Sequence, residues 1–208
     1  PQSVWAPKSA LMSAYSYYSQ NYYSDAIYEI DRYFKKYPND KNLVYAHYLK
    51  AICYFEQVED EKKNFASIDG AKKELEYIIK NYPNTDFALD SKYKLELINS
   101  VLASKEIYLG RYYMQRKKWI ASINRFKYVL NNYDTTVYAP EALHRLVELY
   151  YILGYTEESK KYANILGYNY KSDKWYKETF KIYNKSYVNP IKEEKEKKSI
   201  IKKFKTLF

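Results

Sequence analysis

The sequence predicts an all-α fold, a solenoid of antiparallel helix pairs with one long central helix. Three observations carry this. A helix-pair pattern returns four times in register. Breakers are scarce, with 4 Gly and 6 Pro in 208 residues, below the usual shares of about 7% and 5%. Residues 86–115 hold no proline and only Gly110, enough for a helix about 45 Å long at about 1.5 Å per residue.

The pattern is clearest at residues 109–134, LGRYYMQRKKWIASINRFKYVLNNYD. Leu109-Gly110-x-x-Tyr113 is followed by Ser122, Phe126 and Val129 at helical spacing, then a break at Tyr133-Asp134. This is the tetratricopeptide (TPR) arrangement, so the array is of TPR type. Small residues let two helices approach, and large ones fill the gaps beside them. Ala14, Tyr17, Ala26, Ile30, Tyr33 and Pro38 fill the same slots 96 residues earlier. Ala51, Tyr54, Ala71, Leu75, Ile78 and Pro83 fill them again, and Val147, Tyr150, Ser159, Ala163 and Leu166 give a fourth copy with a degenerate tail.

Taken in order, residues 1–7 read as a loop with two prolines, and residues 8–19 as the first helix. Residues 21–24 form a turn, with Ser24 or Asp25 capping a second helix that ends before Pro38. Residues 57–69 are a polar insertion inside the second pair, with Ser67 or Asp69 capping the helix after it. Tyr37-Pro38, Tyr82-Pro83 and Tyr133-Asp134 each end a helix, because proline cannot continue one and restricts the residue before it. The first half of the long helix should pack on the preceding repeat and its second half on the following one. Gly154 makes a tight turn in the fourth pair and residues 167–170 a loop. Ser172-Asp173 then cap a last helix over residues 174–184, with Trp175, Thr179, Ile182 and Tyr183 inward. The array thus occupies residues 1–184, about four repeats plus a final helix. Residues 185–208 form a basic tail, in which Ile200, Ile201, Phe204, Leu207 and Phe208 share one helical face. Such a piece suits an anionic membrane, a partner, or its own neighbouring helix.

The composition narrows the function. Residues 185–205 carry eight lysines against three glutamates, about half of the net charge of +10. Basicity is mainly a tail property, and with no RNP, KH or zinc-finger signature the chain is not read as a nucleic-acid binder. The 29 tyrosines are spread along the chain, which fits a compositional bias as well as an aromatic surface. Cys53 is the lone cysteine, in an apolar helical run, so it reads as a buried structural thiol. There is no signal peptide and no apolar run of membrane-spanning length. His47 and His144 lie in different repeats without a second ligand at metal spacing. No nucleophile has a histidine in a known local signature, and no glycine-rich phosphate loop is present. The chain is therefore read as a non-enzyme without cofactor or metal.

A TPR array binds along its first helices. Counted from the small residue, the inward positions are Leu11, Tyr15 and Tyr18, then Tyr48, Ile52 and Phe55. The later sets are Ile107, Arg111 and Met114, then His144, Glu148 and Tyr151. The first two sets are apolar and aromatic and suit an extended apolar peptide, with Tyr hydroxyls able to bond its backbone. Packing against an upstream repeat or a following helix is the competing reading.

Beyond these slots, particular runs stand out: AYSYY at residues 14–18 before Ala26-Ile27, GAKKEL at 70–75, YYMQRKKW at 112–119 with Ala121, Asn124 and Arg125, APEAL at 139–143 and SDKWY at 172–176. On these the chain resembles the BamD (YfiO/ComL) family, the TPR lipoproteins of the outer-membrane β-barrel assembly machine. The resemblance covers nearly the whole chain. It implies five TPR motifs, a lipid-bearing N-terminal Cys and a place on the periplasmic face of the outer membrane. This chain departs in lacking the lipid-bearing Cys and the first TPR, and in carrying Asp134 where a proline is expected; it is read as a fragment without its anchor. The resemblance implies docking of the C-terminal repeats on the POTRA domain of the barrel component BamA, with other lipoproteins of the machine nearby. Arg125 matches a family arginine for that ionic contact, and Trp119 and Asn124 are the other docking candidates. The N-terminal half would receive unfolded outer-membrane β-barrel proteins, whose last strand ends in an aromatic.

A second reading is a soluble TPR co-chaperone or adaptor that captures an acidic C-terminal peptide. It needs a Lys/Arg clamp on the inner face, where only Lys8 and Arg111 lie.

Overall fold

The computed structural model describes residues 3–57, 65–171 and 174–183. The described residues form nine α-helices and no strand. They are α1 (Ala6–Ser19), α2 (Tyr23–Lys36), α3 (Leu43–Glu56), α4 (Phe65–Asn81), α5 (Asp86–Gln115), α6 (Trp119–Asn132), α7 (Ala139–Leu153), α8 (Thr156–Asn169) and α9 (Lys174–Tyr183). The fold is all-α and TPR-like. The chain divides into two compact units, Pro1–Leu102 and Ala103–Phe208. The first holds the pairs α1/α2 and α3/α4 with the start of α5. The second holds the end of α5 with α6, the pair α7/α8, and α9.

Each pair closes where the sequence has its small residues. Ala14 and Ala26, Ala51 and Ala71, and Ser122, Val147 and Ser159 are fully buried. Gly110 is the tightest contact: a Cβ there would lie 2.5 Å from the Phe126 ring, which is itself fully buried. In the second unit the small residue adds a bond across the pair. Ser122 Oγ donates to the Gly110 carbonyl at 2.8 Å, and Ser159 Oγ to the Val147 carbonyl at 2.9 Å. Ile30, Leu75 and Phe126 fill the adjacent large slot.

The turns repeat as faithfully. Asn21, Lys117 and Gly154 each stand seven residues after the small residue and have φ of 64°, 58° and 87°. The next residue's N–H reaches back in a Schellman closure, Tyr22 to the Tyr17 carbonyl (3.0 Å), Lys118 to Tyr113 (2.9 Å) and Tyr155 to Tyr150 (2.9 Å). Only Gly154 is free of the Cβ penalty in that conformation. At the far end, the N–H groups of Tyr37, Tyr82, Tyr133 and Tyr170 all donate to the carbonyl four residues back, at 2.8–2.9 Å. Three of these tyrosines pack a ring on their own helix, as in Tyr33–Tyr37 at 5.6 Å. The junction at Asp134 keeps the same geometry as the proline junction at Pro83: Thr136 Oγ donates to the Tyr133 carbonyl at 2.7 Å as Thr85 Oγ does to that of Tyr82 at 2.8 Å.

Several local expectations change. Most helix starts lack the expected side-chain caps, although Thr85 caps α5 by accepting from the Ala88 N–H at 3.2 Å; Tyr22 precedes α2, so Ser24 and Asp25 lie inside it. The Schellman turn already delivers the chain into the next helix, and Asp25 instead favours the positive N-terminal end of α2. Ser67 and Asp69 lie inside α4, which begins at Phe65. The fourth repeat's tail is regular, with α8 running to Asn169 and Tyr170 in the terminal tyrosine slot. Gly167 lies within α8, and its bare Cα lets the Tyr176 ring of α9 approach, within 3.1 Å of where a Cβ would stand. The caps at Ser172-Asp173, Asn184, most of the 57–69 insertion and the tail lie outside the described residues.

Gly110→Ala gains about 1 kcal/mol of helix propensity, but its methyl group enters a ring that cannot yield. Overpacking of this kind costs about 1–3 kcal/mol, so the variant should unfold at lower urea than the native chain. Phe126→Leu in the same background should narrow the loss relative to Phe126→Leu alone; purely additive losses would contradict this contact.

Candidate partner-binding surfaces

The inward positions of the first unit do not form one open groove. Leu11 and Ile52 are core side chains, 4% and 8% exposed, and offer a ligand nothing. Tyr48 and Phe55 are half-buried against α5. The Tyr48 hydroxyl donates to Asp90 at 2.6 Å and its ring lies 5.0 Å from Phe87. Burial and that bond push its pKa up, so the hydroxyl stays a neutral donor committed within the chain. The Phe55 ring carries Lys94 Nζ at 5.3 Å. What remains accessible is a smaller patch on α1: Tyr15 at 44% and Met12 at 57% exposure, with Tyr18 between the rings of Tyr15 and Tyr23 at 6.0 and 6.1 Å.

In the second unit the chain fills its own inner positions. Ile107 is buried. Arg111 is bidentate on Glu141, its Nε 2.6 Å from Oε1, and that carboxylate is 4% exposed. Arg111 is thus neutralised inside the chain, which removes one of the two cations an acidic-peptide clamp would use. Helix α9 covers α7. His144 Nδ1 lies 2.8 Å from Thr179 Oγ, its ring 5.0 Å from Trp175, and Tyr151 meets Tyr183 edge-on at 5.7 Å. Glu148 bonds Arg145 at 2.8 Å. The expected inward faces of Trp175, Thr179, Ile182 and Tyr183 explain this, since α9 takes the place a ligand would occupy.

Burial lowers the His144 pKa to about 4, helped by the Arg145 charge and opposed by Glu178. The unfolded histidine titrates near 6.5, so on acidification the unfolded chain takes up the proton first. This stability is intact above about pH 6.5 and is lost as pH falls toward 4, amounting to about 2 kcal/mol by pH 5. Urea midpoints at pH 7.5 and 5.0 should therefore fall further for the native chain than for His144→Asn. Equal falls would contradict a neutral buried His144.

Helix α6 presents a different surface. Trp119 lies on the stripe of Ile123 and Phe126 (i, i+4, i+7), the buried side, and is itself half-buried. It does not join Asn124 and Arg125 in one cluster. The opposite stripe is Ile120, Asn124 and Tyr128, with Ile120 76% and Tyr128 47% exposed. Arg125 borders it. Its Nη1 donates to Glu106 Oε2 of α5 at 3.0 Å, the two side chains being 41% and 14% exposed. The bond to Glu106 outweighs partial burial and raises the guanidinium pKa further. A fork held on one edge keeps a fixed direction for its remaining donors. Residues 107–133 also carry six basic residues and no acidic one. Helical periodicity and a local charge count would both have exposed this surface; the excess of lysine in the tail drew attention away.

Among the described residues no group of three or more His, Cys, Asp or Glu is placed to hold a metal. No described helix is long and apolar enough to cross a membrane.

These features define an all-α protein of TPR-like helix pairs. Residues 1–166 match the YfiO family, described as outer membrane lipoprotein. The chain is 40% identical over 193 residues to the outer membrane protein assembly factor BamD of Caulobacter vibrioides, covering 93% of this chain and 63% of that protein. It is 39% identical over 189 residues to BamD of Rickettsia prowazekii, covering 91% and 75%. With BamD of Neisseria meningitidis serogroup B it shares 29% identity over 161 residues, covering 73% and 60%. The chain belongs to the YfiO/BamD family of outer-membrane assembly factors, and it spans less than two thirds of the length of the Caulobacter relative.

Proposed function

We propose that the chain is a non-catalytic scaffold of the outer-membrane protein assembly machine, working on the periplasmic face. The outward stripe of α6 docks on the POTRA domain of BamA, and other lipoproteins of the machine bind nearby. The patch around Tyr15, Met12 and Tyr18 receives apolar segments of unfolded β-barrel proteins. A lipid on an N-terminal cysteine outside this chain holds the protein to the membrane. Cys53 is no candidate for it, buried within α3 with its thiol pushed up to about 12 by burial.

The observation that carries this reading is the α6 surface. Ile120 and Tyr128 offer apolar area, Asn124 a two-way hydrogen-bonding group, and Arg125 a cation braced by Glu106. Interfaces concentrate their energy in such aromatic and arginine anchors. The co-chaperone reading is weaker because Arg111 is spent on Glu141.

Calorimetric titration with the isolated POTRA domain should give binding that Arg125→Glu weakens at least about tenfold, since a reversed charge meets the partner's acid. Ile120→Asp should weaken it without lowering thermal stability. Full affinity in both variants would contradict docking through α6. A photo-crosslinker at Tyr15 should capture an unfolded barrel segment ending in an aromatic more than its scrambled counterpart; equal capture would remove the substrate role of this patch.

A further inference from the structure

The repeats allow one groove to be compared with its equivalent in the same chain. Both lie between successive second helices, over the first helix of a pair. In the first unit, between α2 and α4, the three floor positions are rings. His47 of α3 stacks at 4.3 Å on Phe34 and lies 4.2 Å from Tyr77. Its Nδ1 is 2.7 Å from Glu74, which also takes Lys50 at 3.1 Å. Burial alone would raise the Glu74 pKa, but His47 and Lys50 outweigh it and lower it. The polar groups of this floor are thus paired within the chain, and a groove of about 430 Å³ opens beside His47 and Tyr77.

In the second unit the same slots hold Leu130, Leu143 and Ile165, 96, 96 and 88 residues further on. Aliphatic side chains replace three rings, and a groove of about 550 Å³ lies open between α6 and α8, within the size range of ligand sites. Leu143 is 3% and Ile165 37% exposed, so the floor is firm but accessible. One wall is Tyr162, whose ring stacks on Tyr150 at 5.7 Å and an interplanar angle of 5°. Lys127 and Lys161 line the groove at the Tyr162 end, with Lys127 Nζ 5.7 Å from the Tyr150 ring centre. The one acidic lining residue, Asp134, lies at the other end. There its carbonyl is 3.5 Å from the Tyr170 hydroxyl, on the order of 12 Å along α8 from Lys161.

We propose that this groove is a docking site for a short acidic segment of a partner protein. One aromatic side chain sits on the Leu130–Leu143–Ile165 floor, and a neighbouring carboxylate reaches Lys127 and Lys161. The ring requirement comes from the chain itself, which fills the equivalent floor with rings. The acid requirement comes from the two lysines. The chain's own tail is a poor occupant, since its eight lysines against three glutamates repel the same lysines. The groove borders the outward stripe of α6 at Lys127, but most of its floor and its far wall belong to α7 and α8, so its test does not depend on whether α6 meets a POTRA domain.

Fluorescence anisotropy with the full chain and labelled acetyl-Glu-Glu-Phe-Glu-Glu-amide tests this. The peptide should bind at least about tenfold more tightly than its Phe-to-Gly form and than the Lys-Lys-Phe-Lys-Lys form. Ile165→Glu and the pair Lys127→Glu with Lys161→Glu should each remove most of that binding. Lys80→Glu, at the first-unit groove, should leave it unchanged. Ile165 and Lys161 are surface positions, and unchanged circular dichroism would show the variants folded. No binding of the acidic peptide at millimolar concentration, equal binding of the three peptides, or binding indifferent to the groove variants would each overturn the proposal.

Discussion

Close approach of two helix backbones at a single small-residue slot is the constraint on which the rest depends. At Gly110 nothing larger than hydrogen fits against Phe126, and Ser122 uses the proximity to bond the Gly110 carbonyl. That contact fixes the rotation of α6 about its axis. With Ile123, Phe126 and Val129 turned inward, Ile120, Asn124 and Tyr128 must face outward, and Arg125 must fall beside Glu106. The proposed docking surface follows from packing and needs no separate device. Ser159 and the Val147 carbonyl repeat the arrangement in α7/α8, which places Leu143 and Ile165 in their groove.

The pairing was legible because small and large residues recur at constant offsets, and steric fit leaves little freedom there. Helix starts were less legible. Ser24, Asp25, Ser67 and Asp69 are good capping types, yet a Schellman closure or helix continuation overrode them. Tyr170 was not legible as a junction because neither proline nor aspartate follows it, although its backbone bond matches those of Tyr37, Tyr82 and Tyr133. Gly167 reads as a breaker in isolation; its role, admitting Tyr176, exists only once α9 packs on α8.

The site was legible in type and less so in place. Counting positions from the small residue marks which side chains face the neighbouring first helix. It does not say whether a ligand or the chain itself stands there. Tyr48 meets Asp90 and Phe87, Arg111 meets Glu141, and His144 meets Thr179, so three expected contact residues are held within the protein. Arg125 keeps partial exposure because Glu106 braces it from below. Trp119 was a docking candidate through the family resemblance, and it shares the stripe of Ile123 and Phe126, where it is half-buried. The contrast of Phe34, His47 and Tyr77 with Leu130, Leu143 and Ile165 was present in the sequence too, but its meaning required seeing which helices flank the floor.

The most direct test of the account is photo-crosslinking around α6 with the BamA POTRA domain. A benzophenone side chain is placed in turn at Ile120, Asn124 and Tyr128, and at Tyr93 of α5 as an exposed control. The account predicts crosslinks from the three outward positions, lost together in Arg125→Glu, and none above background from Tyr93. Crosslinking that is as strong at Tyr93 as at Ile120, or absent from all three α6 positions in a chain that still binds, would contradict it.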